Sequence, residues 1–180
     1  MVRGPEAAVI RRRCSGVEAR RTLLGAVLKL LVALGAGVAL LSLVFGVDLV
    51  RGAGMEPTMG DGDVVLFYRL SSDLRADDLV VYDNGSGEQV IGRVVAQPGD
   101  TVEVTEEGDF LLNGTRQPSL QGEVTLPSDS GPSYPLTLAE GEYFVLGDGR
   151  SDAVDSRELG PIGSDEVEGV VMALLRLRGI

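Results

Sequence analysis

Residues Thr22 to Val47, TLLGAVLKLLVALGAGVALLSLVFGV, carry one charge, Lys29, near the N-terminal end. Roughly 20 mostly apolar residues are enough to cross a bilayer, and a lysine at that depth can extend its ammonium to the interface. The run therefore predicts a transmembrane helix over 22–47. Residues 1–29 hold seven Lys/Arg against Glu6 and Glu18, a net of +5. The positive-inside rule then makes 1–21 a cytoplasmic basic tail and 48–180 an extracytoplasmic domain. A cleaved signal peptide has an apolar region of roughly 7–15 residues and a small-residue cleavage site. SLVFGVDLV offers no such site, which favours a retained, single-pass anchor in the cell membrane.

The chain beyond the anchor has the size of one domain, roughly 100–150 residues. After position 29 there are nine basic and 25 acidic residues, a net of −16. Such a surface repels phosphate backbones, so nucleic acid is not an expected partner. Turn-forming clusters interrupt the chain every 8–12 residues, the rhythm of an all-β domain. Strands are expected at 63–70, 78–84, 89–96, 100–108, 109–114 and 143–149, with 167–177 closing the sheet. The Asn-Gly pairs in NGSG (84–87) and NGTR (113–116) predict hairpin turns. The polar, Gly/Pro/Ser-rich stretch 119–141 reads as a long loop or a poorly ordered insert.

Residue types exclude most hydrolytic chemistry. There is no histidine, Lys29 is the only lysine, and Cys14, in the basic tail, is the only cysteine. Ser-His and Cys-His catalysis, the common zinc sites and a disulfide in the exported domain all fall away. GDGRSDAVDSRE and MGDGD are rich in Asp, but neither has the spacing of a calcium-binding EF-hand loop. We expect no metal and no cofactor.

Three segments, GMEPTMGDGDVV (54–65), VIGRVVAQPGDTVEV (90–104) and YFVLGDGRSDAVDSRELGPI (143–162), resemble in order and spacing the type I signal peptidases, membrane-anchored proteases that remove signal peptides from exported proteins. The resemblance implies a partly closed, barrel-like antiparallel β domain of two coiled sheets on one N-terminal transmembrane helix. It also implies where the catalytic groups belong. The family's nucleophilic serine falls at Gly54, the lysine that takes its proton at Gly92, the serine that hydrogen-bonds the lysine at Ala153, and a hydroxyl that helps the oxyanion at Gly52. A Ser-Lys pair needs a hydroxyl beside an amine whose pKa burial has lowered, and arginine stays protonated above roughly pH 12. Thr58 and Ser156 stand where the family has hydroxyls that do not attack. Together with Ser151 they are read here as turn and strand hydrogen-bonders.

By the same resemblance, Val50, Met55, Met59, Val65, Val90 and Ile91 would wall a groove that takes an extended peptide by strand addition. Read from the residues alone, the six are ordinary alternating core positions. Asp148, Arg150, Asp155 and Arg157 are expected to pair in one compact network. Arg93 is expected either to join it through Asp155 or to face solvent. Relatives that have lost both serine and lysine are associated in Gram-positive bacteria with pilus assembly beside sortases. The resemblance thus implies a non-catalytic homologue whose partners are the bilayer and an exported or pilin-like protein. The alternative is an active serine endopeptidase with unusual catalytic residues.

Overall fold

The computed structural model describes residues 5–71, 73–119 and 122–176. The chain separates after Leu43 into a helical unit and a β unit. The helix α1 runs Pro5–Val44, well before the expected start at Thr22, so the described part of the basic tail is helical. Its apolar portion, Arg20–Val44, has a mean hydropathy of 2.4. At 1.5 Å per residue its 25 residues reach roughly 37 Å, enough for a hydrocarbon layer of about 30 Å.

The helix stops three residues before the expected end. Phe45–Leu49 form β1, and here the periodicity changes from helix to strand: Gly46 and Asp48 turn inward while Val47 and Leu49 stay exposed. Gly46 is needed at that point. A Cβ there would lie 2.1 Å from Cζ of Phe67, a ring with no solvent exposure. Gly46→Ala is therefore expected to destabilise the β unit by about 3 kcal/mol through overpacking, read as a lower denaturation midpoint with an unchanged m-value.

The remaining elements are β2 (Val64–Tyr68), β3 (Leu79–Asp83), β4 (Gln89–Ala96), β5 (Thr101–Val104), β6 (Phe110–Leu112), β7 (Thr115–Gln117), β8 (Leu136–Thr137), β9 (Glu142–Leu146), the short helix α2 (Ser156–Leu159), β10 (Ile162–Gly163) and β11 (Val167–Leu175). They build two antiparallel sheets, one of seven strands in the order β1-β2-β11-β3-β4-β9-β10 and one of four in the order β7-β6-β5-β8. The fold is mainly β, as expected, and 167–175 is the closing strand, inserted between β2 and β3. The larger sheet does not close on itself, since β1 and β10 are both edges. The β6–β7 turn carries Asn113 and Gly114 at positive φ (51° and 76°), the conformation that Asn-Gly hairpins require.

Three apolar clusters hold the β unit. One gathers Val50, Met55, Met59, Val65, Phe67, Val81 and Ile91. A second, around Tyr82, Val94 and Val145, lies under β3, β4 and β9. The third joins the smaller sheet to β4 and β9 through Val102, Phe110, Phe144 and Leu146. The described part of 119–141 has little regular structure but is anchored. Thr125 and Leu138 are buried, and the Thr125 N–H donates to the Gly108 carbonyl at 2.8 Å.

Candidate functional site

Beyond β1 the backbone returns on itself: the Val50 N–H donates to the Asp63 carbonyl at 2.8 Å, and the Gly62 N–H to the Val50 carbonyl at 2.9 Å. Met55 and Met59 bury beneath this loop, which brings Gly54 against the 147–155 segment. The Gly149 N–H donates to the Gly54 carbonyl at 3.1 Å, and a Cβ on Gly54 would sit 3.3 Å from Cα and 3.4 Å from Cβ of Ala153. The positions of the expected nucleophile and of the third-motif hydroxyl are thus neighbours, and neither bears a hydroxyl.

Gly92, on β4, has different surroundings. A Cβ there would lie 2.4 Å from Cγ1 of Val145 and 3.3 Å from Cε1 of Tyr82. The room a base would need for its first carbon is filled by core side chains. Tyr82 does not replace it: burial first, and the nearby Asp155 second, push its phenol far above the ordinary tyrosine range, so it stays protonated. Its hydroxyl sits 3.4 Å from the Val154 carbonyl.

A cavity of about 210 Å³ opens between the 48–55 segment, Glu88–Ile91 and Asp152–Val154. Of the six expected peptide-binding residues, Val50, Met55, Val90 and Ile91 line it. Met59 and Val65 do not. They are almost wholly buried in the first cluster beneath, because Val65 faces inward on β2 and Met59 follows the loop's turn. Two strand edges flank the cavity. β1 pairs only with β2, and β4 meets β9 only from Arg93 onward, leaving Gln89–Gly92 open on that side among the described residues.

The charged residues form two pairs rather than one network. Arg93 grips Asp148 with both arms of its fork, Nε to Oδ1 at 2.8 Å and Nη2 to Oδ2 at 2.7 Å, and donates to the Asp77 carbonyl at 3.1 Å. Its partner is therefore Asp148, not Asp155: β4–β9 pairing sets Arg93 opposite Leu146, two residues from Asp148. The hydrogen bond to Asp148 raises the Arg93 pKa, with burial pulling the other way. Thr58 donates to the same carboxylate at 2.5 Å.

Asp155 caps α2 and holds Arg157, accepting from its N–H, Nε and Nη2 at 3.0, 2.8 and 2.9 Å, and from the Gly147 N–H at 2.9 Å. Arg150 joins the second pair through its backbone, its carbonyl accepting from Arg157 Nη2 at 2.7 Å. Its Nη1 donates to Thr125 Oγ1 at 2.8 Å, its buried Nε has no partner among the described residues, and burial draws its pKa down. Ser156 Oγ is engaged as well, accepting from the Val145 N–H at 2.9 Å, and Ser151 donates to Asp152 at 2.7 Å.

Tyr82, Glu123 and Thr125 shape this region without standing out in the sequence. Tyr82 sits in an ordinary strand pattern, and Glu123, which accepts from the Arg150 N–H at 2.8 Å, lies in a stretch whose composition reads as loop.

The family described as signal peptidase, peptidase S26, matches residues 23–175 of this chain. The chain belongs to the S26 signal peptidase family. A signal peptidase I of Bacillus licheniformis is 32% identical over 67% of this chain and 71% of its own. One from Bacillus amyloliquefaciens is 28% identical over 78% of this chain and 80% of its own. A crystal structure of a signal peptidase I from Enterococcus faecalis covers 56% of this chain and 97% of its own, at 28% identity and a TM-score of 0.43. Within the S26 family, then, this member carries glycine where the motifs of 54–65 and 90–104 imply nucleophile and base. The hydroxyls of Thr58 and Ser151 each donate to a carboxylate, of Asp148 and Asp152 respectively.

Proposed function

We propose that this S26 member is a membrane-anchored, non-catalytic homologue of signal peptidase I that holds an exported peptide in the groove beside Gly54. The observation that carries the reading is the filled base position: a side chain at Gly92 meets Val145 at its first carbon, while the β unit offers neither lysine nor histidine to act from elsewhere. Without a proton acceptor, a hydroxyl placed at the groove would stay a poor nucleophile.

Binding makes no such demand. A cavity lined by Val50, Met55, Val90 and Ile91 suits small side chains, and two open strand edges suit an extended backbone. Topology follows the charge bias around the span, with the N-terminus cytoplasmic and the β unit outside. Its partner is then an exported or pilin-like protein, and the role that of an accessory in pilus assembly.

The competing reading, an active signal peptidase, draws on the relatives named above. One assay separates the two. Purified full-length protein in detergent, given a preprotein or an Ala-x-Ala peptide, is expected to release no product and to accumulate no acyl intermediate. Product formed by protein free of contaminating proteases would overturn the non-catalytic reading. For the partner, a photo-crosslinker at Val90 in intact membranes is expected to capture an exported pilin-like chain, and normal pilus assembly after deletion would end the accessory role.

A further inference from the structure

We propose that the peptide taken by this groove carries a lysine or arginine beside its small apolar residues. This rests on the reading of the groove as a peptide site and names the ligand's chemistry. Beside the groove lies a second cavity of about 470 Å³, the two sharing Asp48, Arg51, Glu88 and Gln89 in their walls. Around the two cavities stand five carboxylates, Asp48, Asp83, Glu88, Asp152 and Glu168, and one guanidinium, Arg51.

Three of the five are engaged elsewhere. Asp83 accepts from the Gly85 and Gly87 N–H groups at 2.8 and 3.0 Å, Asp152 accepts from Ser151, and Glu168 pairs with Arg69. Asp48 is less well served. It is only 8% exposed, yet the cation that reaches it, Arg51, stands 3.9 Å away on a side chain that is 60% exposed. Among the described residues it also accepts from the Leu49 N–H at 2.8 Å. A carboxylate so withdrawn from water ordinarily keeps a close cation. Asp48 also borders both cavities, and Glu88 is exposed at their junction.

A cationic side chain on the bound peptide reaches this pair while its small neighbours fill the apolar part of the groove. The same charges turn acidic segments away, which gives selectivity as well as attraction.

The test uses the full chain in nanodiscs and three labelled peptides sharing an Ala-Ser-Ala core, flanked on either side by Lys-Lys, Gln-Gln or Glu-Glu. Fluorescence anisotropy is expected to show the lysine peptide binding about ten-fold tighter than the glutamine peptide at low salt, with the glutamate peptide weakest. The advantage is expected to shrink in about 0.5 M salt. Glu88→Lys, at an exposed position, is expected to remove most of the lysine peptide's advantage over the glutamine peptide. Asp48→Asn, which keeps an acceptor for Leu49, reports the buried carboxylate separately. Equal binding of lysine and glutamine peptides overturns the charge preference and leaves the groove reading intact. Failure of all three peptides to bind overturns both.

Discussion

Asp155→Ala is expected to cost the β unit about 4 kcal/mol, a large share of the roughly 5–15 kcal/mol that holds such a domain together. The carboxylate is 1% exposed and accepts four hydrogen bonds, three from Arg157 and one from the Gly147 N–H. Its removal leaves a buried guanidinium without its anion, strips the cap from α2, and frees the backbone at the start of the segment that walls the groove. Urea denaturation followed by circular dichroism measures this directly. Ser151→Ala, which removes a hydroxyl that donates to the exposed Asp152 carboxylate, is the matched control and is expected to leave the midpoint where it was. An Asp155→Ala protein as stable as the parent would mean that the Asp155–Arg157 pair does not hold the loop.

The second large effect concerns restoration. Gly54→Ser with Gly92→Lys rebuilds the dyad on paper, and the doubly substituted protein is nevertheless expected to leave a preprotein uncut. The serine Cβ fits, in tight contact with Ala153, whereas the lysine Cβ arrives 2.4 Å from Val145 Cγ1. Strain and a newly buried amine together are expected to cost about 2–3 kcal/mol, on the order of 8 °C in Tm. Adding Val145→Ala makes room at the first carbon, so the triple variant is expected to be more stable than the sum of the separate effects, a coupling that a double-mutant cycle reads out. Efficient cleavage by the double variant would show that the pocket adapts to lysine readily and that only the two side chains were missing.

Much of the β unit is legible in the residues because its strands alternate and its turns carry Asn-Gly or Pro-Gly-Asp. The strand at 89–96 is found with the expected ends, and the strand opening at Val167 is found in the closing position. β1 is hidden by its own hydropathy. Phe45, Val47 and Leu49 extend the apolar run without a break, and only the inward Gly46 and Asp48 mark the change of period. β7, β8 and β10, of two or three residues each, are too short to show a period of their own; β7 exists through the hairpin with β6, β8 and β10 through pairing with β5 and β9.

The site divides in the same way. Local motifs locate Gly54, Gly92 and Ala153, but the identity of Arg93's partner depends on β4–β9 register, which is long-range information. Likewise, an apolar residue beside a motif reads the same whether it lines a cavity, as Val90 does, or lies beneath it, as Met59 and Val65 do.

The open half of β4 and the free side of β1 bear on how copies of this protein coexist. Unpaired edges are where identical chains tend to zip together. Here the exposed stretch of β4 is only four residues long, and the part of the chain that bears it has a strong negative charge, so two copies approaching edge to edge repel before their backbones can meet. Mutual repulsion thus keeps copies of the β unit from zipping together while leaving both edges uncovered.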